Sequence, residues 1–260
     1  MIEVEDLRHA YGGKTVLEGV SFQVGRGEVV GYLGPNGAGK STTIRILMGM
    51  LVPSSGRVRV LGLEPASSPR EVKALVGYVP ESGALYESLS PREYLAVVGR
   101  LRGLDGDVIE QRGARFLDSL GLDGQRDARM TGFSKGMKQK VVVAAALLHD
   151  PKVLFLDEPL NGLDSNTTVT VKEVIRGLSE RGTTVFYSSH LMDVVERVSD
   201  RVIILDHGRV VADGSAAALR AGTGDATLEA LFSRLTAGEE IHDRAAGILG
   251  ALGPVPRAGT

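Results

Sequence analysis

Residues 34–42 read Gly-Pro-Asn-Gly-Ala-Gly-Lys-Ser-Thr, and from Gly34 to Ser41 they fit the spacing G-x-x-x-x-G-K-[ST]. That pattern serves phosphate binding. Gly34, Gly37 and Gly39 free the backbone for conformations a Cβ would obstruct, so successive N–H groups can converge on phosphate oxygens. Lys40 is a cation with the reach for β- and γ-phosphates, and Ser41 offers a hydroxyl to Mg²⁺. The stretch lacks the G-x-G-x-x-G spacing of a dinucleotide site. A second constellation is Asp157-Glu158, which closes an apolar run over 153–156. Its two carboxylates divide into two tasks: Asp157 to hold Mg²⁺ through its water shell, Glu158 to orient and deprotonate an attacking water. His190 ends a later apolar run in Tyr187-Ser188-Ser189-His190 and could reach a γ-phosphate by hydrogen bond.

These residues must be brought together by the elements around them. The apolar run 29–33 predicts a strand before the loop, and a helix is expected over 42–50 after it. Residues 1–30 alternate as β-hairpin material, with a turn at Gly12-Gly13 and Tyr11 beside it. Taken alone, Tyr11 reads as a core aromatic. Short strands are expected over 57–61 and 76–79. Ser90-Pro91-x-Glu93 is a helix start, with Tyr94, Leu95, Val98 and Leu101 on one face. A second helix is expected over 108–120. Helical periodicity without strands marks a helical subdomain of roughly 82–150. From residue 153 onward strand and helix alternate: strands over 153–156, 183–187 and 201–205, helices over 167–180 and 191–198. That order implies a mainly parallel sheet with helices on both faces. Ligands of such a sheet bind beyond the carboxyl ends of its strands, where the loop at 34–42, Asp157 and His190 would all arrive. Asp206-His207-Gly208 predicts a hairpin turn into 209–212, and Leu228, Leu231, Phe232 and Leu235 a short amphipathic helix. Residues 237–260 read as a weakly helical extension and tail.

Composition sets bounds. At 260 residues the chain can bury a sizeable core. The formal net charge is −2, from 30 Lys+Arg and 32 Asp+Glu, so no nucleic-acid partner is expected. There is no cysteine, which excludes disulfides, thiolate metal sites and cysteine nucleophiles. The acidic, alternating start is unlike a secretory signal, and the longest apolar run, 141–148, is too short to span a membrane.

A family resemblance follows from a third motif. Phe133-Ser134-Lys135-Gly136-Met137-Lys138-Gln139 resembles L-S-G-G-Q, the signature of ATP-binding cassette (ABC) ATPases. It lies between the phosphate loop and Asp157-Glu158. Leu160-Asn161-Gly162-Leu163-Asp164 resembles the D-loop that follows the Walker B pair in this family. The resemblance covers about residues 2–235. It implies a P-loop NTPase core with a mainly parallel sheet, an N-terminal antiparallel β subdomain and a helical subdomain. The ATPase domain would be 1–236, with the helical subdomain inserted at about 82–150. It also implies ATP and Mg²⁺ as cofactors. Nucleotide would be held by Tyr11, Val16, Asn36, Gly37, Ala38, Gly39, Lys40, Ser41 and Thr42, with Tyr11 now stacking on adenine. Mg²⁺ would be held by Ser41, Glu81 and Asp157. Catalysis would rest on Glu158 and on His190, and Asp164 would be the D-loop acid. Ser134, Lys135, Gly136 and Met137 would act in trans, in a head-to-tail dimer.

Two departures from the family pattern stand out. Glu81 occupies the place of the usual Gln, which adds negative charge beside the metal site. Lys135 and Met137 replace Gly and Gln of the signature, a variation similar to that of cassettes serving separate-permease exporters. The implied partners are an integral membrane permease and a second copy or paralogue of the ATPase, on the inner face of the cell membrane. The competing expectation is a soluble cassette ATPase acting on ribosomes, DNA or cofactor assembly. The short separation of Lys40 from Ser134 disfavours the coiled-coil DNA-repair type. A GTP-driven switch would need an Asn-Lys-x-Asp sequence, which does not occur.

Overall fold

The computed structural model describes residues 1–81, 85–160, 165–189 and 192–236. The expectations for Asp164, His190 and the 237–260 extension lie outside the described residues. Strand β1 (Ile2–Tyr11) pairs antiparallel with β2 (Lys14–Val24) through the expected turn, where Gly12 and Gly13 both take positive φ, 54° and 87°. The loop strand β3 (Val29–Leu33) is buried at every position. After helix α1 (Lys40–Leu47), strand β4 (Ser55–Val60) returns to the free edge of β1, giving a three-stranded sheet in the order β2-β1-β4.

Helix α2 (Pro69–Leu75) leads directly into β5 (Val76–Val79), and three helices follow: α3 (Pro91–Leu101), α4 (Gly106–Ser119) and α5 (Lys135–Leu147). The chain then alternates as expected, through β6 (Val153–Asp157), α6 (Ser165–Glu180), β7 (Thr184–Ser189), α7 (Met192–Val198) and β8 (Arg201–Asp206). The edge strand β9 (Arg209–Gly214) runs antiparallel to β8, and α8 (Ala216–Thr223) and α9 (Leu228–Thr236) close the described chain. The large sheet has six strands in the order β5-β6-β7-β3-β8-β9, parallel except for the β8–β9 pair.

Successive strand residues point to opposite faces, and this alternation divides the core. Val30 and Tyr32 of β3, Phe155 of β6 and Phe186 of β7 join α1 and the antiparallel sheet in one apolar cluster. Val29 and Leu33, with Leu154, Leu156, Val185 and Tyr187, join α5, α6, α7 and α9 in another. An aromatic group holds the two sheets together. Phe22 of β2 stacks on Phe186 at 5.6 Å between ring centroids, and Tyr32 lies against Phe186 at 5.0 Å. Such pairs add about 0.5–1.5 kcal/mol beyond area burial.

Helices α3, α4 and α5 form a third cluster around Leu95, Ile109, Leu117, Phe133 and Val141. The start of α3 is the expected capping box: Glu93 N donates to Ser90 Oγ at 3.3 Å, and Ser90 N donates to Glu93 Oε2 at 2.8 Å. Two helices escape the sequence pattern. In α2 only Val72 is buried, so no periodicity shows, although Pro69 at its start was an available signal. Helix α8 sits where apolar density falls, and Ser215 caps it by accepting from Ala218 N at 3.2 Å.

Candidate active site

The loop of residues 34–39 carries the chain from β3 into α1. Gly39 stands at the helix N-cap with φ 110°, and a Cβ there would lie 2.5 Å from Leu17 Cδ2 and 3.0 Å from the Val16 carbonyl. Only glycine fits both that backbone and that space. No side chain caps the helix. The first turn of a helix has no intrahelical acceptors for its N–H groups, so these stay available to an anion. Thr43 secures the turn: its Oγ1 donates to Gly39 O at 3.0 Å and lies 3.2 Å from the buried Tyr32 phenol oxygen.

Lys40 is buried although charged. Its Nζ donates to Gly34 O at 2.6 Å and to Pro35 O at 3.2 Å, and lies 3.8 Å from Glu158 Oε1. An ammonium has three donors, and the two carbonyls engage two of them.

The parallel register sets the acidic half of the site. Asp157, the last residue of β6, stands opposite Ser188 of β7, and Tyr32 of β3 is level with Ser188 on the other side. Asp157 Oδ1 accepts from Ser41 Oγ at 3.1 Å and from Ser188 Oγ at 2.7 Å. Ser188 Oγ in turn accepts from Glu158 N at 2.9 Å. One hydroxyl therefore fixes both acidic residues. Glu158 is buried and takes φ 49°, a left-handed conformation uncommon away from glycine. Strain of that kind is held in place where the surrounding contacts over-determine it, as they do here. Nearby Tyr78 has its phenol pushed up to about 12, first by burial and then by the negative charge of Asp157, so it stays neutral.

Asp157 is buried and does not line the surface, while Lys40, Ser41 and Glu158 open onto a cleft of about 710 Å³. It is lined by Tyr11, Val16, Asn36, Gly37, Ala38, Gly39, Lys40, Ser41, Thr42, Glu81 and Glu158, so the fold brings the expected nucleotide set together. Tyr11 is 45% exposed and lines the cleft, against the core placement its local pattern favours. Lys14, Thr15, Asp206 and His207 line it too and were not expected.

The ABC transporter family's sequence profile matches residues 17–161. The chain is 39% identical over 215 residues to the linearmycin resistance ATP-binding protein of Bacillus subtilis (strain 168), covering 83% of this chain and 69% of that protein. It is 39% identical over 218 residues to Nod factor export ATP-binding protein I of Rhizobium sp. (strain N33), covering 84% of this chain and 72% of that one. Among solved structures, an ATP-binding subunit of an ABC transporter superposes with a TM-score of 0.85 at 35% identity, covering 90% of this chain and 99% of the other. The chain belongs to the ABC transporter family. Its activity is ATP binding and hydrolysis.

In this ABC ATPase the signature segment stands apart from the cleft. Ser134 is the N-cap of α5, and its Oγ accepts from Met137 N at 3.2 Å. Ser134 and Lys135 are exposed, Gly136 and Met137 half-buried, and none of the four is among the cleft-lining residues. Phe133 anchors the segment from behind in the helical cluster. Two connections needed the fold to be seen. One is the Ser188 bridge. The other is Gln139, buried in α5, whose Nε2 donates to Pro159 O at 3.2 Å. That bond ties the signature helix to the residue after Glu158.

Proposed function

We propose that this ATPase is the energy-coupling subunit of an exporter, working as a head-to-tail dimer on a separate membrane-spanning permease at the inner face of the membrane. The observation that carries the reading is the placement of Ser134–Met137. They form a helix N-terminus, exposed at Ser134 and Lys135 and half-buried at Gly136 and Met137, outside the cleft that holds Lys40, Ser41 and Glu158. A second subunit facing the cleft would bring its own α5 to the γ-phosphate, and the helix N-terminus suits an anion. ATP then supplies the contact that favours the closed pair, and hydrolysis removes it. Among the described residues no helix is long and apolar enough to cross a membrane, so the spanning part is assigned to the partner. The printed export role of the Rhizobium relative supports the direction.

The donor set fits Mg²⁺. Ser41 Oγ and Asp157 Oδ1 are hard oxygens already 3.1 Å apart, and Glu81 lines the same cleft. Among the described residues no group of three His, Cys, Asp or Glu could hold a metal. Mg²⁺ does not need one, because it is usually bound by one or two protein oxygens with waters and substrate phosphates. When bound, Mg²⁺ neutralises charge on the β- and γ-phosphates. Within the chain, Glu158 takes the proton of the attacking water, and Lys40 holds phosphate oxygens.

Differently tagged copies test the trans assignment. A pair carrying Lys40→Ala and Ser134→Arg in one subunit, with a wild-type partner, loses both composite sites and should be inactive. The same two changes placed in opposite subunits leave one site whole and should retain about half the turnover. The reverse pattern would place the signature in cis and overturn the dimer reading.

A further inference from the structure

The turn between β8 and β9 borders the nucleotide cleft, and no motif accounts for its presence there. Strand β8 lies beside β3, with Leu33 level with Ile204, so Asp206 emerges next to the start of the phosphate loop. Asp206 pairs with Arg209, leaving His207 and Gly208 as a two-residue turn. Both have left-handed backbones, φ 43° and 74°, as a type I′ hairpin requires. The turn is pinned from two sides. Gly208 N donates to Ala38 O of the phosphate loop at 3.1 Å, and Glu18 N of β2 donates to Gly208 O at 2.8 Å. A Cβ on Gly208 would collide with the Val16 carbonyl, so the turn is seated directly on Val16. The His207 side chain is 91% exposed and lines the cleft with Lys14, Thr15 and Val16.

We infer that His207 is a nucleotide-binding residue, donating to or accepting from a ribose hydroxyl. This rests on the reading that ATP lies with its base at Tyr11 and its γ-phosphate at Lys40 and Glu158. The turn sits against Val16, at the nucleoside end, and against Ala38, in the phosphate loop. The ribose is the part of ATP that joins those two ends. A neutral imidazole carries one donor and one acceptor, which matches a hydroxyl in either sense. Within the chain the ring has one polar neighbour, Asp206 Oδ2 at 3.9 Å from Nε2, and is otherwise open. It is held at the cleft by a turn bonded to Ala38 and to Glu18.

Calorimetric titration of the full chain with ATP, 2′-deoxy-ATP and 3′-deoxy-ATP tests the assignment. The wild type should bind one deoxy analogue roughly three- to tenfold more weakly than ATP, the size of one neutral hydrogen bond. His207→Gly removes the ring without straining the left-handed backbone, and His207→Asn suits a type I′ turn but is too short to reach. Both should weaken ATP by the same factor and bind ATP and that analogue equally. Wild-type discrimination that persists in both variants, or is absent from the start, overturns the ribose contact. Lys40→Ala and Tyr11→Ala separate the two levels. If neither weakens ATP, the site reading itself falls and the subsite with it. If they do, and the His207 variants bind as wild type, the subsite alone falls.

Discussion

Two helix N-termini in this chain, both assigned here to phosphate, have opposite constructions. At α1 the N-cap is Gly39, no side chain caps the helix, and the turn is packed against Leu17 and the Val16 carbonyl. Its free N–H groups are held in place by the strand edges around them. At α5 the N-cap is Ser134, which satisfies Met137 N itself, and the turn is exposed at Ser134 and Lys135. The first is the side that its own chain completes: Lys40 Nζ donates to Gly34 O, Ser41 Oγ to Asp157, and Glu158 N to Ser188 Oγ. The second is a self-capped helix start outside the cleft, which in the proposed dimer would meet a ligand only through the partner subunit. The contrast teaches that a motif's sequence gives its ligand class, while its packing tells whether one chain is enough.

The largest expected effect lies on the completed side. Glu158→Gln keeps the shape and the backbone hydrogen bond from Glu158 N to Ser188 Oγ. It removes the proton acceptor, and loss of a positioned general base costs about 10²–10⁴-fold. Steady-state ATPase should fall by that factor while ATP affinity in calorimetry holds. Turnover within a few-fold of wild type would remove Glu158 from the role of base.

A smaller effect is expected at Ser188, whose hydroxyl serves Asp157 and Glu158 at once. Ser188→Ala removes a buried hydroxyl that accepts from Glu158 N and donates to Asp157 Oδ1, a cost of about 1–3 kcal/mol. Urea unfolding should show that loss, and turnover should drop at limiting Mg²⁺ as Asp157 and Ser41 lose their fixed geometry. A variant that unfolds like wild type and keeps its Mg²⁺ dependence would mean the bridge is incidental.

The completed side was also the more legible one. The phosphate loop is local: its spacing, the apolar run before it and the helix after it all lie within about twenty consecutive residues, and α1 begins at Lys40 inside the motif. Asp157-Glu158 announced itself by ending an apolar run. Ser188 could not, because its role depends on the register that sets β6 against β7. Gln139 likewise reads as one polar residue on a helix until α5 is laid beside Pro159. His207 is invisible as a site residue until the β8–β9 turn is seen bonded to Ala38 and Glu18. Tyr11 misled at the local level, since an aromatic at a hairpin end has the same pattern whether it packs inward or lines a cleft. What stayed hidden depends on contacts between residues far apart in sequence, and periodicity carries no record of those.

The smallest expected change in the isolated subunit comes from Ser134, and it sharpens the contrast most. A serine oxygen has two acceptor lone pairs and one donor. Capping Met137 N uses an acceptor, which leaves the O–H free to donate to a phosphate oxygen. Stability and ligand binding therefore draw on different parts of one hydroxyl. Ser134→Asp should keep the cap, because Asp and Ser are near-equal N-caps, and unfolding free energy should change by under ~0.5 kcal/mol. It has no donor left, and it sets a carboxylate against the γ-phosphate. ATP-dependent dimerisation by analytical ultracentrifugation should be lost in a subunit that is otherwise as stable as wild type. Ser134→Thr, which keeps both acceptor and donor, should restore it. If Ser134→Asp dimerises normally with ATP, the hydroxyl serves only as a helix cap, and the signature's work must fall to the backbone of Gly136.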